Sequence, residues 1–139
     1  MSIKTNYNAT IFASYIGYIT QAIVNNFAPL LFLTFNKSLG ISMDKIALLI
    51  TINFGTQLLL DLLSSKFVDR IGYKVSVVMA HFMASLGMIL MAFLPFRFGF
   101  AGLTVSTMVY AVGGGLIEVV VSPIVEACPT EHKSAVMSI

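Results

Sequence analysis

Polar residues fall at wide intervals along this chain, and between them lie four long apolar runs: about Thr10 to Phe35, Met43 to Ser65, Tyr73 to Leu94, and Phe98 to Ala127. Each is long enough to supply the roughly 20 mostly apolar residues that a helix needs to cross a hydrocarbon core. None shows the strict alternation of a membrane strand, so helices are predicted rather than barrel strands. The connections are short: residues 36–42 with Gly40, the polar turn at 65–74, and Pro95-Phe96-Arg97. Short connections place successive helices side by side and antiparallel. The pattern predicts an all-α membrane protein of four transmembrane helices running up-down-up-down. Residues 1–9 are read as an amino-terminal cytoplasmic segment, 10–127 as the membrane part, and 128–139 as a cytoplasmic turn and the start of a truncated fifth helix.

Composition agrees with this reading: 58% hydrophobic residues, 10% charged residues and a mean hydropathy of +0.92 place the chain in lipid rather than in water. The basic residues suggest an orientation, because Lys and Arg near span ends are retained on the cytoplasmic side. With the amino terminus inside, Lys4, Lys66, Arg70, Lys74 and Lys133 are cytoplasmic, against Lys37, Lys45 and Arg97 outside. The first run is too long, and too interrupted by Gln21, Asn25 and Asn26, to be a cleaved signal. The net charge of +2 sits at span ends and offers no basic stripe to follow a nucleic-acid backbone. Cys128, the only cysteine, has no partner for an internal disulfide or metal cluster. With no nucleophile–base pair, metal-ligand spacing or phosphate loop, neither an enzyme nor a cofactor or metal is expected.

Candidate chemistry lies in the polar residues that lipid should exclude, since an ionisable group at depth costs at least a few kcal/mol. Glu118 is the sharpest case. Tyr110, Gly114, Glu118 and Ser122 recur every four residues and share one helical face, with a notch at the glycines. Burial of Glu118 without a cation would favour its protonated form and suit it to loading and unloading a proton; a structural, protonated carboxyl is the plainer alternative. In the first run Ser14, Tyr18, Gln21 and Asn25 form a second stripe of hydroxyls and amides. It suits either a neutral polyhydroxylated ligand or helix-to-helix hydrogen bonds. Pro29 is expected to free a carbonyl and kink that helix. In the second run Asn53, Gln57 and Asp61 recur at four-residue spacing, with Asp61 roughly 12 Å of helix from Asp69. His81 with Ser85 could form a proton relay but reads more readily as a histidine bonded to a neighbouring helix, and Ala80, Ala84 and Gly87 form a small-residue packing strip.

Two motifs carry a family resemblance. Ser65 and the core Asp69-Arg70-x-Gly72-x-Lys74 resemble the loop signature between the second and third helices of major facilitator superfamily transporters, although Ser65 and Tyr73 stand where members usually carry Gly and Arg. Gly113-x-Gly115-x-x-Glu118 followed by Ser122-Pro123 is similar to the fourth-helix pattern of the fucose permease branch, proton-coupled sugar symporters, with Ser122 in place of Asn. Asn25-Asn26-Phe27-Ala28-Pro29 is similar to that branch's Asn-Asn-Leu-Asn-Asp, with Pro29 replacing the acid. The resemblance implies the first third of a twelve-helix transporter in the cell membrane, and an inactive fragment if the chain stands alone. It implies a cavity surface of Tyr18, Gln21, Asn25, Tyr110, Glu118 and Ser122; with Pro29 in place of the acid, either coupling rests on Glu118 alone, or another acid such as Asp61 has taken over the missing share, or the substrate and ion are different. It also implies a cytoplasmic latch at Asp69. The implied partners are the bilayer, a small polar solute and a proton, and the missing remainder of the transporter. Two alternatives stand beside it: a small four-helix exporter acting as a dimer, and a packing or regulatory membrane subunit without transport.

Overall fold

The computed structural model describes residues 7–128, with Ser65 described by its backbone alone. Features expected at 1–6 and 129–139, including Lys4, the Thr130–Lys133 turn and the start of a fifth helix, lie outside the described residues. Three helices account for nearly everything else: α1 (Tyr7–Leu39), α2 (Met43–Ile71) and α3 (Tyr73–Ala127). All three are long and apolar enough to cross a membrane.

The third is a folded pair of rods. Its 55 residues would extend roughly 80 Å if straight, but Gly99 adopts φ 57° and ψ −131° and turns the chain back. Gly113 then lies against the backbone of Ala84, Gly87 against Tyr110, and Gly102 against the carbonyl of Leu94. One member of each pair climbs as the other falls, so residues 73–98 and 100–127 are antiparallel. The approach is so close that a methyl group on Gly87 or Gly113 would strike backbone rather than a movable side chain. The small-residue strip of Ala80, Ala84 and Gly87 is buried, as its composition predicts.

Two expected connections move. Pro95-Phe96-Arg97 is helical, and the reversal comes beyond it at Gly99. Proline removes one helical hydrogen bond and kinks a helix, whereas a left-handed glycine reverses the chain. The charged segment is not a loop either: α2 continues through Asp69 and Arg70 to Ile71, and Gly72 alone links it to α3. Gly72 has φ 84° and ψ 152°, a region essentially restricted to glycine. Its N–H donates to Val68 O at 2.8 Å, and its carbonyl accepts from the N–H and Oγ of Ser76 at 3.1 and 2.9 Å. One residue thus bonds to both helix ends. Residues 40–42 complete the links, held by Asn36 Nδ2 donating to Ile41 O at 2.6 Å.

Residues 100–127 form the central rod, with Leu103, Tyr110, Ala111, Ile117, Val120 and Val125 all buried. Against it α1 lays Gly17, Val24, Ala28 and Phe32. At the Gly99 end, Phe35 meets Phe96 edge-on at 6.3 Å between centroids, and Lys45 Nζ lies 5.4 Å from the Phe100 ring centre. At the opposite end, Tyr7, Tyr73 and Cys128 line one small depression, so α1, α3 and the returning rod meet there. Phe12 and Leu30 of α1, Leu58 and Leu62 of α2, and Phe82 and Phe93 of α3 point outward. Apolar exposure on this scale exceeds what a soluble monomer carries and suits a lipid surround.

Candidate functional site

The polar stripe of α1 meets the central rod through Tyr18 and Gln21. Tyr18 Oη and Ser122 Oγ are 3.0 Å apart, and Gln21 Nε2 donates to Glu118 Oε2 at 2.8 Å. Ser122 Oγ also donates to the carbonyl of Glu118 at 3.2 Å. A serine hydroxyl has one proton, so Tyr18 must be the donor in its own bond. The resulting chain runs Tyr18 to Ser122 to the Glu118 backbone. One turn further, Asn25 faces Gly114, where a methyl group would come within 3.2 Å of Asn25 Oδ1. The seam therefore runs along antiparallel rods, its members stepping down α1 as they step up the other.

Asn25 Oδ1 accepts instead from α2: Gln57 Nε2 reaches it at 3.0 Å and makes a longer 3.5 Å contact with Asn53 Oδ1. Gln57 fits because Gly115 opposite it has no side chain; a methyl there would sit 3.3 Å from Gln57 Cα and Cγ. Sequence reasoning placed Asn53 and Gln57 on a common stripe without bringing them to the site. Their four-residue spacing and the paired glycines were the available signals. The three rods α1, α2 and 100–127 therefore meet at a carboxamide cluster roughly 27 Å along α1 from Tyr7. Pro29 lies inside α1 and provides no N–H for the carbonyl of Asn25, which leaves a backbone acceptor beside the same cluster.

Glu118 departs from expectation in its surroundings. It is exposed on the protein surface rather than buried, held by Gln21 on one oxygen, and no cation pairs with it among the described residues. Tyr110 also departs, for it is 1% exposed and packs over Gly87 inside the α3 pair, away from Glu118. Asp61 is exposed; its carbonyl accepts from Ser64 Oγ at 2.9 Å, and its carboxylate pairs with neither Lys66 nor Arg70 among the described residues. Ser14 donates to Thr10 O of its own helix at 2.9 Å, and a ring nitrogen of His81 lies 2.8 Å from Val77 O. His81 is therefore tied to its own helix and not to the neighbouring helix expected of it.

The motif residues gather at the far end of α2. Asp69 and Arg70 occupy its last turns, Gly72 the corner and Lys74 the first turn of α3, all exposed. No group of three or more His, Cys, Asp or Glu residues is placed to hold a metal among the described residues. Comparison with known protein families, with curated proteins and with solved structures gives no match to this chain.

Proposed function

We propose that this chain contributes the solute- and proton-handling surface of a proton-coupled membrane transporter for a small polar solute, of the major facilitator type. One observation carries the reading: the Glu118 carboxylate, hydrogen-bonded to Gln21, is exposed about 13 Å of helix from the nearer end of an apolar rod, beside the half-buried polar residues Tyr18, Asn25 and Ser122. A carboxylate turned to hydrocarbon there is costly. The seam therefore faces a water-filled path closed by further protein. Glu118 takes a proton on one side of the membrane and releases it on the other as the path alternates, with Gln21 retaining a hydrogen bond to it. Tyr18, Asn25, Gln57 and Ser122 supply the hydroxyl and amide groups that hold the solute. The amino terminus and the Gly72 corner are cytoplasmic.

A second reading has support of its own, because each rung of the seam is also a bond between this chain's helices. A packing subunit needs no more than that. Transport measurements separate the two. The assembly containing this chain, purified by a tag on it and reconstituted in liposomes, is expected to give proton-linked solute currents. Glu118→Gln, which keeps the shape, abolishes proton-driven accumulation while solute exchange survives. Wild-type-like proton-driven accumulation by Glu118→Gln would remove Glu118 from coupling, and an assembly without solute flux would leave the packing reading in place.

A further inference from the structure

At the Gly72 end of α2, an open depression of about 670 Å³ is lined by Leu63, Lys66, Phe67, Asp69 and Arg70. Lys66 and Arg70 are four residues apart and so share one helical face, about 6 Å apart along the axis. Neither pairs with an acid among the described residues, Asp69 included. Continuing up the same face towards the middle of α2 are Leu59, Leu62 and Leu63, 62%, 70% and 63% exposed. Lys74, just past the corner, is exposed at the same end. Across residues 66–74, Lys66, Arg70 and Lys74 against Asp69 leave a net charge of +2.

The order along the helix, cations at the span end and bare leucines towards its centre, is the order of a phospholipid from phosphate to acyl chain. We propose that this face of α2 binds an anionic phospholipid. Arg70 grips the phosphate with its planar fork and Lys66 adds a point charge, while the acyl chains lie along Leu59, Leu62, Leu63 and Phe67. Asp69 at the rim disfavours a second negative charge, which selects a singly charged headgroup such as phosphatidylglycerol. The site lies apart from the Glu118 seam and does not depend on its function.

Native mass spectrometry of the full chain, released from micelles with phosphatidylglycerol or phosphatidylcholine, tests the proposal. The wild type should retain phosphatidylglycerol preferentially. Lys66→Gln with Arg70→Gln should weaken that binding roughly 30-fold, at about one tenfold step per 1.4 kcal/mol and about 1 kcal/mol per cation. Lys37→Gln, at the other end, should leave it unchanged, and Asp69→Asn should tighten it. Circular dichroism checks that the variants remain helical. Should the double variant fail to fold, raising the salt concentration over the wild type must weaken phosphatidylglycerol binding and spare phosphatidylcholine. An unchanged lipid preference in a folded double variant would overturn the site. So would displacement of the lipid by equimolar glycerol phosphate, which would show that the cations bind free phosphate and the leucines contribute nothing.

Discussion

Replacing Gly113 by alanine should loosen the whole bundle, while the same change at Gly55 should not. At Gly113 the new methyl would fall on the backbone nitrogen and Cα of Ala84, atoms that have no rotamer to escape into. The rods 73–98 and 100–127 would have to separate, and overpacking of this kind costs about 1–3 kcal/mol. Alanine's better helix propensity returns up to about 1 kcal/mol, so a net loss of about 1–2 kcal/mol is expected. At Gly55 nothing lies within 4 Å of the added methyl. There the propensity acts alone, and stability should rise by up to about 1 kcal/mol. Titrating both variants from mild detergent into dodecyl sulfate and following helicity reads the difference, about 2–3 kcal/mol in total. If Gly113→Ala were as stable as Gly55→Ala, the two rods would not be in backbone contact, and the antiparallel pair described above would be wrong.

Tyr18→Phe removes one hydrogen bond from the seam, and the same titration should show a loss of about 0.6 kcal/mol, the average worth of such bonds within a bilayer. Gly72→Ala forces a side chain into a conformation that costs about 1–3 kcal/mol, and the loss should appear as faster amide exchange in the residues on either side of the corner. Cysteines introduced at Lys37 and Lys66 should be labelled by an impermeant reagent from outside and from inside the cell respectively; the reverse pattern would invert the proposed orientation.

Hydropathy made the four rods legible, because the apolar runs are long and the breaks between them carry charge or glycine. It misplaced two of the joins for a common reason. Proline, arginine and lysine interrupt an apolar pattern, but a helix near a membrane surface accommodates them, so Pro95-Phe96-Arg97 and Lys66 to Arg70 stay helical. The backbone turns where a positive φ is needed, at Gly99 and Gly72, and hydropathy does not register that. The polar faces were legible as faces. Their partners were not, since periodicity within one helix says nothing of what lies opposite. Tyr110 shows the limit of a four-residue spacing, which drifts about 40° per step. Two steps from Glu118 are enough to carry it round to Gly87.

The reversal at Gly99 is a single residue long, and this makes it a phase lock. A flexible loop would let residues 100–127 turn about their own axis until the best packing was found. With one residue between the rods, the angular setting of the second is dictated by the first. An insertion of one residue after Gly99 would rotate every following position by about 100°. Glu118 would leave Gln21, and Gly113 would leave Ala84, in the same movement. Natural length variation in proteins built on this plan should therefore collect at residues 40–42, where a few residues of slack already exist, and spare the corner at Gly99.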